Sequence, residues 1–171
     1  MTSYPSHLIR PVDWLGERLL IRPVRPDDAP KFIAGALLCS AEDLRFRFLR
    51  SIHHLSEKLA AQLTQIDYER HMAFVAENLK GDILAVSRLV GDTCKKSAEY
   101  ALIVRTDLQK RGLGGLMHNL LLDYAAGRGI TELWGIVDSD NRRALGFVRR
   151  LGFRLGFHAD FPFTHIIRAA I

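Results

Sequence analysis

The chain has 171 residues, 48% of them hydrophobic, which predicts one domain with a substantial core and excludes a disordered chain. No apolar run approaches the roughly 20 residues that a bilayer requires, and MTSYPSHLIR has no apolar stretch ending in a small-residue cleavage site, so the expectation is a cytoplasmic protein with no membrane partner. The formal charge of +5 suits an acidic or polyphosphate ligand, whereas scattered arginines and phenylalanines set in apolar patterns give no nucleic-acid footprint.

In chain order, residues 1–16 read as an N-terminal extension and residues 17–171 as the single domain. ERLLIR predicts a strand from residue 17, followed by a turn at Pro26, Asp27 and Asp28 and a helix over about 29–39. AEDLRFRFLR (41–50) and SEKLAAQLTQI (56–66) predict two further helices, the second capped by Ser56. RHMAFVAEN, ILAVSRLVGD and SAEYALIV then predict three consecutive antiparallel strands, with turns at LKGD and near TCKK. LGGLMHNLLLDYAAGR repeats apolar residues at helical spacing, ITELWGIVD reads as a strand, and NRRALGFVRRLGF as a helix capped by Asp140 or Asn141 and stopped by Gly152. The tail fits two closing strands. The count is about seven strands and five helices, without repeats or linkers.

Cys39 and Cys94 are far apart and lack metal-ligand spacing, and His53 and His54 are adjacent in a loop, so neither a disulfide framework nor a metal is expected. The informative stretch is QKRGLGG (109–115), which joins a strand to a helix. Glycines there leave backbone N–H groups uncovered at the positive end of a helix dipole, a design for holding an anion. A dinucleotide fingerprint starting at Gly112 would need glycine where Met117 stands, and no Lys-Ser or Lys-Thr pair completes a nucleoside-triphosphate loop. The pattern that fits is Q-x-x-G-x-G, filled by Gln109, Gly112 and Gly114.

With that loop, and with NRRALGFVRRLGF as a second signature, the sequence resembles the GNAT superfamily of acetyltransferases over about residues 17–157. IRPVRPDDA, LRFRFL, LTQIDYERHMAFVA, ILAVSRL and AEYALIVRTDLQKRGLG are further similar to the acetyltransferase domain of bacterial Pat-type protein-lysine acetyltransferases. The resemblance implies an α/β fold with a mixed, mostly antiparallel sheet and splayed central strands at an acetyl-CoA site. In many Pat-type proteins this domain follows a larger region that the 16 preceding residues could not hold, which leaves a free-standing relative or an excised domain.

The resemblance also assigns roles. Ile103 and Val104 would hold the pantetheine arm through their backbone, and the N–H groups of Arg111, Gly112, Leu113, Gly114 and Gly115 the pyrophosphate, with Gln109 in the motif and Lys110 or Arg111 adding charge. Asn141 matches a cofactor contact, although any helix start would favour it as a cap. Glu99 matches the glutamate that serves as general base in the Pat-type relatives, a role that acetyl transfer to an ammonium requires, with a solvated strand residue as the alternative. Val148 stands where many relatives place a proton-donating tyrosine, and Tyr124 reads as core, so no general acid is assigned. Arg45, Arg47 and Arg50 read as the polar side of a helix, with Arg47 alone matching the Pat-type pattern; Asp67 and Glu69 read equally as acceptor-side or turn residues. The expectation is direct acetyl transfer to an amine, a protein lysine first, with a small-molecule amine or a non-catalytic CoA-binding regulator as alternatives.

Overall fold

The computed structural model describes residues 3–94 and 96–171, so Met1, Thr2 and the centre of the turn expected near residues 93–96 lie outside the described residues. The chain runs β1 (Arg10–Trp14), β2 (Glu17–Pro23), α1 (Ala29–Ala36), α2 (Ala41–Phe48), α3 (Glu57–Thr64), β3 (His71–Glu77), β4 (Ile83–Gly91), β5 (Ser97–Val104), α4 (Leu113–Gly127), β6 (Glu132–Asp138), α5 (Arg142–Arg150), β7 (Arg154–Phe157) and β8 (Thr164–Ala170). One sheet of eight strands has the order β1-β2-β3-β4-β5-β6-β8-β7, antiparallel throughout except for the β5–β6 pair. The expected strand and helix order is therefore present, with one strand more than expected. That strand, β1, lies in the stretch read as an extension, where Pro11 and Asp13 interrupt the strand pattern; both are tolerated on a sheet edge.

Local chemistry sets the boundaries. Leu15 and Gly16 both take positive φ, at 51° and 82°, the geometry of a two-residue hairpin turn between β1 and β2. Ser40 and Ser56 cap α2 and α3, accepting from the N–H groups of Asp43 and Leu59 at 3.0 and 3.2 Å. At the end of α5, Gly152 (φ 87°) donates to the Arg149 carbonyl and Phe153 to that of Val148, closing a Schellman motif.

β3 is buried on both faces, and its alternating side chains feed two cores. Met72, Phe74 and Ala76 face the larger core beneath α4, while Ala73 and Val75 face the smaller one with Phe32 of α1 and Ala60 of α3. Arg22, fully buried in β2, ties these layers together: its fork donates twice to Asp28 at 2.7 Å and its Nε to Glu77 at 2.7 Å. Burial would lower its pKa, but the hydrogen bonds and charges of Asp28 and Glu77 reverse the sign and fix it as a cation. Removing one partner of such a buried group costs about 3–5 kcal/mol. Among the described residues no helix is long and apolar enough to cross a membrane.

His118 in α4 is buried edge-on to Tyr100, with ring centroids 5.5 Å apart, and against Phe153 at 5.9 Å. Burial lowers its pKa. Below the ordinary imidazole value of about 6.5 the unfolded chain therefore takes up a proton that the folded chain resists, so stability is complete above that pH and declines as pH falls. The urea midpoint should drop between pH 7.5 and pH 5.5 by more in the wild type than in His118→Phe, and equal drops would contradict this.

Candidate active site

β5 and β6 pair only at Ser97↔Glu132, Ala98↔Leu133 and Glu99↔Trp134, after which they diverge. β5 stays with β4 as far as Val104↔Ala85, while β6 follows β8 as far as Asp138↔Thr164. Gly135 stands at the vertex of this wedge, where a Cβ would lie 2.9 Å from the Tyr100 carbonyl oxygen. Only glycine fits there without moving backbone. The wedge opens into a cavity of about 510 Å³, bounded by the strand edges, α2, the 109–115 loop and α5.

The unpaired edge of β5 carries free backbone groups inside this cavity. Arg105 donates its N–H to Leu84 on the β4 side, so the Val104 carbonyl, in the same peptide unit, faces the wedge. By strand alternation the peptide groups of Tyr100, Leu102 and Val104 face the wedge, and those of Ala101 and Ile103 are spent on β4. Ile103 therefore reaches the cavity through its side chain, and Leu102, unassigned from sequence, offers its N–H and carbonyl. The Val104 carbonyl already accepts from Gln109 Nε2 at 3.1 Å.

The loop behaves as the glycine pattern requires. Lys110 and Gly112 take positive φ, at 62° and 84°, and Gly112 caps α4. At Gly114 a Cβ would touch the side chains of Leu102, Val104 and Phe147, so this glycine lets the helix start close to β5 and α5. At Gly115 nothing lies within 4 Å and φ is not positive, so neither packing nor backbone demands glycine; its missing side chain keeps the cavity wall open. Lys110, Gly112, Gly114 and Gly115 line the cavity. Arg111 is exposed outside it and its carbonyl accepts from Trp14 Nε1 at 2.9 Å, which fastens the loop to β1. Leu113 is a core residue, leaving only its backbone for the loop.

Asp43, singled out by no sequence pattern, organises this end. Buried at the start of α2, it accepts from Gln109 Nε2 at 2.9 Å, from Thr106 Oγ1 at 2.5 Å and from Arg143 Nη2 of α5. Gln109 thus acts as a brace between α2 and β5. Arg45 adds an ion pair from α2 to Asp138 at the end of β6, 2.9 Å long. Both sides of the wedge are therefore strapped to α2. Asn141 lines the cavity and caps α5, its Oδ1 accepting from Ala144 N–H at 3.0 Å.

At the inner end, Glu99 presents an exposed carboxylate that lines the cavity. Arg47 faces it from α2, so the helix face read as polar surface is partly an inner wall; burial lowers the Arg47 pKa and the charge of Glu99 opposes that fall. Val148 is buried in the wall with no proton to give. Tyr100 hides its hydroxyl from solvent without a hydrogen-bond partner among the described residues, and burial raises its pKa. Tyr124 packs edge-on to Phe74, centroids 5.4 Å apart. Asp67 accepts from the N–H groups of Glu69, Arg70 and His71, which makes it a turn residue.

Residues 18–154 match the acetyltransferase (GNAT) domain family. An acetyltransferase of Pseudomonas aeruginosa is 30% identical over 141 residues, 81% of this chain and 76% of that protein. Acetyltransferase Pat of Mycolicibacterium smegmatis is 31% identical over 139 residues, 80% of this chain but 41% of that longer protein. The GNAT domain of S. lividans PAT shares the fold with a TM-score of 0.89 at 21% identity, covering 99% of this chain and 100% of that domain. The chain belongs to the GNAT acetyltransferase family and is an acetyl-CoA-dependent N-acetyltransferase.

Proposed function

We propose that acetyl-CoA enters the wedge with its pantetheine arm along the free edge of β5 and its pyrophosphate at the N–H groups of residues 111–115, and that Glu99 accepts a proton from a protein lysine. The observation that carries this reading is the place of Glu99: it is the last residue of β5 paired with β6, at the point where the strands part, and its carboxylate faces the cavity. A donor lying along residues 100–104 would bring its thioester to that vertex. Glu99 takes one proton from the lysine ammonium, directly or through water; the neutral nitrogen then bonds to the acyl carbon as the carbon–sulfur bond breaks, CoA departs as a thiolate of ordinary thiol acidity, and the nitrogen's second proton leaves to that thiolate or to water. The missing tyrosine at Val148 is tolerable for that reason. The catalytic unit so proposed is residues 17–171, with residues 1–16 supplying an edge strand and the Trp14 brace on the loop.

The acceptor choice rests on charge as well as on the Pat-type resemblance. Two carboxylates line the cavity, and Asp43 is already occupied by Thr106, Gln109 and Arg143, which leaves Glu99 facing the Arg47 cation. A polyamine with several ammonium groups finds one carboxylate and a repelling guanidinium there. A single lysine side chain, carried on an otherwise external protein, needs no more than Glu99.

Glu99→Gln should lower kcat on a lysine-containing protein by about 10²- to 10⁴-fold. The acetyl-CoA dissociation constant should change little, and the loss should shrink as pH rises toward the lysine value of about 10.4 and the amine deprotonates unaided. Equal rates for the two proteins at neutral pH would remove Glu99 from this role. Asp43→Asn, which keeps the shape of the hub and removes its charge, should weaken acetyl-CoA binding by about tenfold, since a hydrogen bond to a charged group contributes about 1.5–3 kcal/mol. Calorimetry finding unchanged affinity in the folded variant would show that the loop does not depend on Asp43.

A further inference from the structure

Arg88 lies in the middle of β4 and is 8% exposed. Its Nη2 donates to the Leu63 carbonyl, but its Nε is buried without a hydrogen-bond partner among the described residues. Arg88 pairs with Ala101 and Val90 pairs with Glu99, so Arg88 and Glu99 share one face of the sheet as diagonal neighbours, about 7–8 Å apart. Arg47 reaches over that face from α2, within electrostatic range of both. It forms no hydrogen bond or ion pair with the described residues and rests beside the ring of Phe48 at 5.1 Å. Two guanidinium groups thus share this face with one exposed carboxylate, whose charge acts on Arg47. Burial, together with the charge of Arg47, pushes the Arg88 pKa down to about 10, so it stays protonated near neutral pH as an incompletely compensated cation.

A second cavity of about 60 Å³ lies against this pair, with Phe48, Leu63 and Val86 among its walls, and shares Arg47 and Ile103 with the large one. It is too small for an acceptor residue with its backbone, but it suits the end of a slender chain. Its lining combines apolar walls with fork-shaped donors that match a carboxylate. We propose that Arg47 and Arg88 form a carboxylate site at the inner end of the wedge, and that the enzyme accepts acyl-CoA donors whose short acyl group ends in a carboxylate, of the malonyl or succinyl type. This rests on the acyl-transfer reading above. The chemistry is unchanged: Glu99 takes one proton from the ammonium, the amine nitrogen bonds to the acyl carbon, the carbon–sulfur bond breaks, the second proton leaves to the CoA thiolate or to water, and no oxidant or reductant is needed. The product amide carries the tail's carboxylate, so a modified lysine passes from positive to negative charge.

Calorimetry with succinyl-CoA and butyryl-CoA, which share a four-carbon acyl chain and differ in the terminal carboxylate, tests the site without requiring turnover. The wild type should bind succinyl-CoA about tenfold or more tightly than butyryl-CoA, as expected for a charge-assisted hydrogen bond in an enclosed site. Arg47→Gln should remove most of that preference, and Arg47→Lys should retain part of it. Equal affinities in the wild type, or a preference that survives Arg47→Gln, would overturn the proposal while leaving the proposed acetyl transfer intact. Failure of every CoA thioester to bind would overturn both. A final arm supplies acetyl-CoA with peptides carrying glutamate or glutamine beside the target lysine: equal rates are expected, and a glutamate preference lost in Arg47→Gln would assign the arginines to the acceptor and overturn the acyl assignment.

Discussion

The structure turns on the separation of two strands. β5 and β6 start as a parallel pair and part after Glu99 and Trp134, each continuing in the sheet with a different partner. Because both strands keep their outer hydrogen bonds, the sheet remains rigid on either side of the gap. The gap exposes peptide groups that a closed sheet would have paired, and an extended ligand with amides of its own can satisfy them as an added strand would. The vertex depends on Gly135, whose missing side chain lets the Tyr100 carbonyl approach.

What lies at the two ends of the gap follows from that separation. At the outer end the strand leads through a short turn into α4, and the Lys110 and Gly112 conformations direct the helix start toward the cavity. The loop is held from three sides: Trp14 takes the Arg111 carbonyl, Gln109 takes the Val104 carbonyl, and Asp43 takes Gln109, Thr106 and Arg143. A loop fixed before its ligand arrives spends less binding free energy on ordering. At the inner end the sheet face carries Glu99 and Arg88 under Arg47, so the gap closes on one carboxylate and two guanidinium groups.

Much of this was legible in the sequence because it depends on local rules. The strand runs, Ser56 as a cap, Gly152 as a stop and the glycine loop each follow from backbone conformation or from period, and each stands in the structure where the residues placed it. β1 was not legible, since Pro11 and Asp13 weaken its pattern and its partner is supplied by the hairpin turn. Asp43 was hidden for a different reason. Its partners lie 63, 66 and 100 residues away, and in a helix start an aspartate has an ordinary local explanation. Arg47 was marked only by the Pat-type resemblance, because its helix looked amphipathic with arginines outward until the fold set one of them over Glu99. Leu102 was missed in favour of Ile103 because the direction of a strand's peptide groups is fixed by which neighbour it pairs with, a fact of register and not of composition.

The most direct measurement of this account is a crystal structure of the protein with acetyl-CoA. The pantetheine amides should be hydrogen-bonded to the free edge of β5 at Leu102 and Val104, the pyrophosphate held at the N–H groups of residues 111–115, and the acetyl carbonyl placed at the vertex beside Glu99. A cofactor bound outside the wedge, or one whose acetyl group points away from Glu99 with no water connecting them, would contradict it.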